Sequence, residues 1–93
     1  MAGASFEWDE AKNRTNQEKH GVSFEKAQRA FFDPRRRIAV DEAHSSNEPR
    51  LFCLGMVDGR VLTVRFTYRG GRIRIIGAGY WRKGKKAYER AES

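Results

Sequence analysis

Apolar residues change their spacing along this chain, and the change divides it into a helical first third and a sheet-forming remainder. Phe6-Glu-Trp8 reads as a short extended entry. Asp9 stands where a side-chain oxygen caps a helix, predicted to run to about His20, and Gly21 supplies its left-handed stop. Lys12, Asn13, Arg14, Asn16, Gln17, Glu18 and Lys19 make this helix very polar, so it is expected at the surface with a thin contact through Ala11 and its neighbours. Ser23 caps a second helix in which Phe24, Ala27, Ala30 and Phe31 recur at helical spacing, with Val22 and Ala27 at staple positions. Asp33-Pro34 ends it, because the residue before a proline is driven out of the helical region.

Beyond Pro34 the period becomes two. Arg36 to Asp41 is the first of four strands, with Ile38 and Val40 on one side, and a polar loop (42–49) leads to the second, Arg50 to Val57. Asp58-Gly59 and Gly70-Gly71 are two-residue hairpin turns into the third and fourth. Alternation puts Leu62, Val64, Phe66, Tyr68, Ile73 and Ile75 on the core side and Arg65, Arg69, Arg72 and Arg74 on the other. The turns set the register: Thr67 faces Arg74, Arg69 faces Arg72, Arg65 faces Ile76, Phe52 faces Arg65 and Leu54 faces Thr63. Phe52, Leu54, Val61 and Ile76 share the arginine side, so a C-terminal helix from about Lys83 to Ala91 is expected to cover part of it. The result is one α+β domain over residues 1–93 with the order β-α-α-β-β-β-β-α. Its antiparallel sheet is packed by two N-terminal helices and a short C-terminal helix, and residues 1–5 and 91–93 are expected as disordered tails.

Composition sharpens the picture. Nineteen Lys/Arg against twelve Asp/Glu give a formal charge of +7, which points to nucleic acid, an acidic protein or an anionic membrane surface. Like charges set across a ladder are unfavourable, so the arginine row reads as selected for a polyanion. The single cysteine, Cys53, cannot form an intramolecular disulfide, and the N-terminal stretch lacks an apolar signal core. No run approaches the ~20 apolar residues that span a bilayer, and the chain reads as cytoplasmic and free of membrane.

No metal-ligand spacing, phosphate-cradling glycine loop or nucleophile motif stands out, so neither metal nor cofactor is expected. The remaining residues suit phosphodiester chemistry. RNA carries its own nucleophile in the 2′-hydroxyl and needs a base, cations for the developing charge and an acid for the leaving oxygen. Arg65, Arg74 and Arg82 are candidates for the cations, since the guanidinium fork holds two phosphate oxygens. His20 and Tyr80 are candidates for proton transfer, with His44 a lesser one. His20 also stands where a histidine commonly bonds the last carbonyls of a helix. Lys19, Arg69, Arg72, Trp81, Lys83 and Tyr88 are candidate RNA contacts, rings stacking bases and cations taking phosphates, although Tyr88 equally suits packing of the last helix.

Phe6-Glu-Trp-Asp9, Ala11-Lys12, Asn16, Lys19-His-Gly-Val-Ser-Phe24, Phe32-Asp-Pro34, Asp41 with His44, Arg50 and Arg72-Ile-Arg-Ile-Ile76 together resemble the BrnT family of toxins. The likeness spans about Phe6 to Glu89. It implies a RelE-like fold, a ribonuclease that inhibits translation, and a BrnA-like antitoxin that carries a DNA-binding domain and through which a dimeric assembly forms. Many members follow the Arg-Ile-Ile strand with Ser-Ala-Arg, whereas here Gly77-Ala-Gly79 puts glycine where arginine is expected. Either Arg82 and Lys83 supply that charge, or substrate or activity differs. Three readings therefore stand: a metal-independent endoribonuclease toxin, a non-catalytic RNA- or ribosome-binding module, and a protein whose basic face mainly receives an acidic antitoxin.

Overall fold

The computed structural model describes residues 5–45 and 47–92. The elements are β1 (Phe6–Glu7), α1 (Glu10–His20), α2 (Phe24–Ala27) running on into a 3₁₀ turn (Gln28–Phe32), β2 (Arg37–Val40), a second 3₁₀ turn (Glu42–His44), β3 (Leu51–Val57), β4 (Arg60–Arg69), β5 (Arg72–Gly79) and α3 (Arg82–Glu92). Of the expected tails, residues 1–4 and 93 lie outside the described residues. The Ser5 carbonyl accepts from the Ile73 N–H at 2.9 Å, and α3 continues through residues 91 and 92.

The caps form as the sequence reading requires. Asp9 accepts from the N–H groups of Ala11 and Lys12, and Ser23 Oγ accepts from that of Lys26. Both hairpin turns place two consecutive residues at positive φ, Asp58 at 50° and Gly59 at 81°, Gly70 at 57° and Gly71 at 77°. That is the geometry whose twist matches the flanking strands.

The five strands run in the order β1-β5-β4-β3-β2. The sheet is mixed rather than antiparallel throughout, because β1 pairs parallel to β5 at its edge. Two further expectations fail for local reasons. A bulge between Arg65 and Phe66 in the β4–β5 ladder sets Arg65 opposite Gly77 instead of Ile76, so that Ala78 as well as Ile75 turns into the core. Tyr68, expected in the core, is 58 % exposed at the hairpin end and touches Phe66 only edge to face.

One face of the sheet carries the main core, in which Cys53, Leu62, Val64, Phe66, Ile75 and Ala78 pack against Val22, Phe24, Ala27, Ala30 and Phe31. Burial pushes the Cys53 thiol up to about 12, so at neutral pH this cysteine is a small apolar filler. The opposite face holds a smaller cluster of Leu54, Val61 and Tyr88, with Phe52 at its rim, beneath α3. Gly84 permits this approach, since a Cβ there would run into Thr63 Oγ1, and a glycine inside a helix costs about 1 kcal/mol relative to alanine. The Asp33 carboxylate ties the two sides together, accepting from Tyr88 OH at 2.6 Å, Met56 N–H at 2.7 Å and Arg35 N–H at 2.9 Å. Burial raises its pKa, and the bonds from Tyr88, Met56 and Arg35 more than reverse this, leaving it below the usual carboxylate range.

The contact made by α1 is the largest departure from the sequence reading. Ala11 is exposed, and the buried residues of this helix are Asn13 and Asn16. Asn16 Nδ2 donates to the carbonyls of Val22 and Ala78, both at 2.9 Å, and its Oδ1 accepts from the Ala78 N–H at 3.2 Å. The amide thus does for β5 what a neighbouring strand would do, at the stretch of edge that the two-residue β1 leaves open. Asn13 Oδ1 accepts from the Phe24 N–H, and its Nδ2 donates to Glu10 and Glu25. α1 therefore closes an edge by hydrogen bonds while α2 covers the face. Asn16→Ala would leave three buried backbone groups without a partner and is predicted to destabilise the fold by about 2–3 kcal/mol, read as a lowered urea midpoint; an unchanged midpoint would show that α1 is held otherwise.

Candidate nucleic-acid interface

The arginine row lies on the α3 side of the sheet as expected, but it is not bare. Arg65 is 3.4 Å from Asp41, Arg69 is 2.8 Å from Glu48, and Arg74 and Arg72 are 2.9 and 3.8 Å from Glu7. Arg50 also approaches Glu48, at 3.9 Å. Carboxylates from β1, from the end of β2 and from the following loop thus neutralise the like charges that the ladder sets side by side. The row serves folding as well as any ligand.

Lys12 and Lys19, without a carboxylate partner among the described residues, gather positive charge at the β5 end of this face, beside α1. Lys12, Thr15, Lys19 and His20 of α1, Arg65 of β4, Ile76 and Gly77 of β5, and Trp81 line an open groove of about 360 Å³. His20 makes no hydrogen bond to the closing carbonyls of its helix among the described residues; Gly21 N–H takes that of Gln17. The imidazole instead meets the Trp81 ring at 5.1 Å between centroids with the planes 75° apart. Arg65 is held from behind by Asp41, a buried carboxylate whose other partner is His44 Nδ1 at 2.9 Å. Burial raises the Asp41 pKa, and the His44 hydrogen bond and the charges of His44 and Arg65 more than offset it, so the carboxyl titrates below its ordinary range. His44 is thereby an outer support for Arg65.

Of the residues singled out from sequence, His20, Lys19, Arg65 and Trp81 come together here. Tyr80 and Arg82 lie in a second groove across Trp81, where Arg60 stacks on the Tyr80 ring at 3.8 Å. Lys83 borders a third, apolar groove. Arg74 is spent on Glu7 one row along the sheet, and Arg69 and Arg72 stand at the hairpin end. Tyr88 is corrected: at 4 % exposure, with its hydroxyl on Asp33, it offers no face to a base. Lys12 and Thr15 escaped the sequence reading. The signal was present, since positions 12, 15 and 19 form one stripe of a helix.

Among the described residues no three His, Cys, Asp or Glu side chains gather, and no helix is long and apolar enough to cross a membrane. The family profile described as ribonuclease toxin, BrnT, of type II toxin–antitoxin system matches residues 8–84. The chain belongs to the BrnT family of ribonuclease toxins. A search of curated proteins gives no significant match.

Membership of the BrnT family makes RNA the substrate and an antitoxin the partner. An added Cβ at Gly79 would fall 2.6 Å from Trp81 Cζ2 and 2.8 Å from Cε2, so the indole lies against this backbone and leaves no room for a side chain. Gly79 and Trp81 are therefore one feature: the ring occupies the space above the strand. Gly79→Ala is predicted to displace Trp81 and loosen its contact with His20. In a Trp8→Phe background this should read as red-shifted, more readily quenched indole emission, whereas unchanged emission would mean that the ring does not depend on the glycine.

Proposed function

We propose that this BrnT-family chain is a metal-independent endoribonuclease of RelE-like fold that acts in the cytoplasm and inhibits translation by cutting RNA. Its counterpart is a BrnA-like antitoxin whose DNA-binding domain represses their shared operon and through which the complex dimerises. The observation that carries the catalytic part is the α1–β5 groove, where an imidazole with no hydrogen bond among the described residues stands with Lys12, Lys19 and an Arg65 oriented by Asp41. A groove lined by three cations and no carboxylate attracts a phosphodiester and repels a divalent ion.

In this reading a phosphate of single-stranded RNA lies between Arg65 and Lys19, with a neighbouring base against Trp81. His20 takes the proton of the 2′-hydroxyl as that oxygen attacks phosphorus. Arg65, Lys12 and Lys19 hold the non-bridging oxygens as charge accumulates, and the bond to the 5′-oxygen breaks, that oxygen taking a proton from solvent water, to leave a 2′,3′-cyclic phosphate and a 5′-hydroxyl. Tyr80 and Arg82, across Trp81, contact a flanking nucleotide rather than the scissile phosphate. Arg69, Arg72 and Arg74, balanced by Glu48 and Glu7, contribute a weaker outlying field, and Lys83 adds to it from α3. That the groove holds a single imidazole is the observation favouring the second reading, a module that binds RNA without cutting it.

Purified protein is predicted to cleave RNA in EDTA and to leave 2′,3′-cyclic or 3′-phosphate ends. His20→Ala should lower the rate by about 10²–10⁴ and Arg65→Ala by about 10²–10³, with the fold intact. Cleavage that requires Mg²⁺ and leaves 3′-hydroxyl ends contradicts the mechanism; salt-sensitive binding with no cleavage establishes the second reading.

A further inference from the structure

The two edges of the sheet are treated differently. At one, the short β1 and the Asn16 amide close β5. At the other, β2 pairs only with β3, and every one of its four residues is exposed. The Asp41 N–H donates to the Arg50 carbonyl at 2.8 Å. Since backbone groups alternate along a strand, those of Ala39 also face β3, and those of Ile38 and Val40 face outward. Ile38 is 47 % and Val40 61 % exposed on the side of the main core. On the other side Ala39 continues into a groove of about 550 Å³ that Phe52, Leu54, Trp81 and Ala87 also line. Among the described residues one buried side-chain polar atom lacks a partner, Thr63 Oγ1, and it lies beneath Gly84. An edge with free backbone groups and apolar surface on both of its faces is a template for another strand.

We propose that β2 is the docking edge for an acidic, amphipathic segment of the antitoxin, which adds to the sheet as a sixth strand and seats alternate apolar side chains in the groove between β2 and α3. The inference rests on the chain's being a toxin with a protein partner and adds where and how that partner binds. Charge selects the occupant. Arg37 on the strand and Lys83 on the groove wall have no carboxylate partner among the described residues, and the chain carries +7 overall. A segment with glutamate or aspartate flanking its apolar positions meets both requirements. A second copy of this chain would set Arg37 against its own charge, and a nucleobase would turn most of its polar edge to apolar walls. Trp81 is the wall shared by this groove and the one containing His20. A side chain seated against the indole fixes or shifts it, so the segment silences the RNA groove from next door without covering His20.

The test uses the full chain, free and in complex with the antitoxin encoded by the paired gene of its operon. Hydrogen exchange at the Ile38 and Val40 amides is expected to slow about tenfold or more in the complex. Val40→Pro removes one outward N–H and leaves the β3 ladder intact, as proline on an edge strand allows. Ala39→Glu puts a carboxylate at the mouth of the groove. Each variant should weaken antitoxin binding by about tenfold or more, while the free variants cut RNA at the wild-type rate. Unprotected amides together with undiminished affinity in both variants overturn the proposal. So does protection at Ile38 and Val40 that comes from RNA, or from raised concentration of the free chain, which would assign the edge to RNA or to a second copy. A wild-type chain that fails to cut RNA refutes the catalytic reading alone, because exchange and affinity still report on the edge.

Discussion

The buried amide of Asn16 is the interaction on which the site depends. A helix as polar as α1 has almost no apolar surface with which to dock, yet it must sit against β5 for Lys12, Lys19 and His20 to face Arg65. Asn16 supplies the docking by treating Ala78 as a strand partner would, and it anchors the incoming chain at Val22 with the same group. Asn13 fixes the start of α2 in a similar way. Because burying an amide is favourable only when its bonds are made, the arrangement has one register and one depth. The cations of α1 gain a defined position without a hydrophobic stripe that would have turned one of them inward.

Opposite charges organise the remainder of that face. Four arginines on a two-stranded ladder repel one another, and Glu7, Asp41 and Glu48 are brought to them from three separate stretches of chain. Arg65 alone couples this network to the groove, with Asp41 behind it and the open space in front. In the proposed reading, the positive field that RNA meets comes chiefly from the helices. Trp81 then divides the surface, with the polar groove on one side and the apolar one on the other, and it does so because Gly79 and Gly84 let the indole and α3 lie directly on the strands.

Much of this was legible from local chemistry. Asp9, Gly21, Ser23 and the Asp58-Gly59 and Gly70-Gly71 pairs act within a few residues of themselves, and the strands between those turns alternate cleanly. The features that escaped depend on distant parts of the chain. The partners of Arg65 and Arg74 are 24 and 67 residues away, and Asn16 reaches 62 residues to Ala78. The bulge left a trace, since the step from Ile75 to Ala78 breaks the two-residue period, but only the finished ladder shows that the core demands it. At the candidate site, residue type singled out His20, Lys19, Arg65 and Trp81, which the fold brings to one groove, while Tyr88 shows that an aromatic ring beside basic residues can equally be filling space.

The central claim is that RNA is engaged in the groove between α1 and β5. Chemical-shift mapping of the labelled protein with a short RNA whose 2′-hydroxyls are methylated, so that it binds without being cut, tests this most directly. The account predicts saturable shifts at Lys12, Lys19, His20, Gly77 and the Trp81 indole N–H, fading as salt is raised. Shifts confined to the hairpin end around Arg69 and Arg72, or to α3, would contradict it.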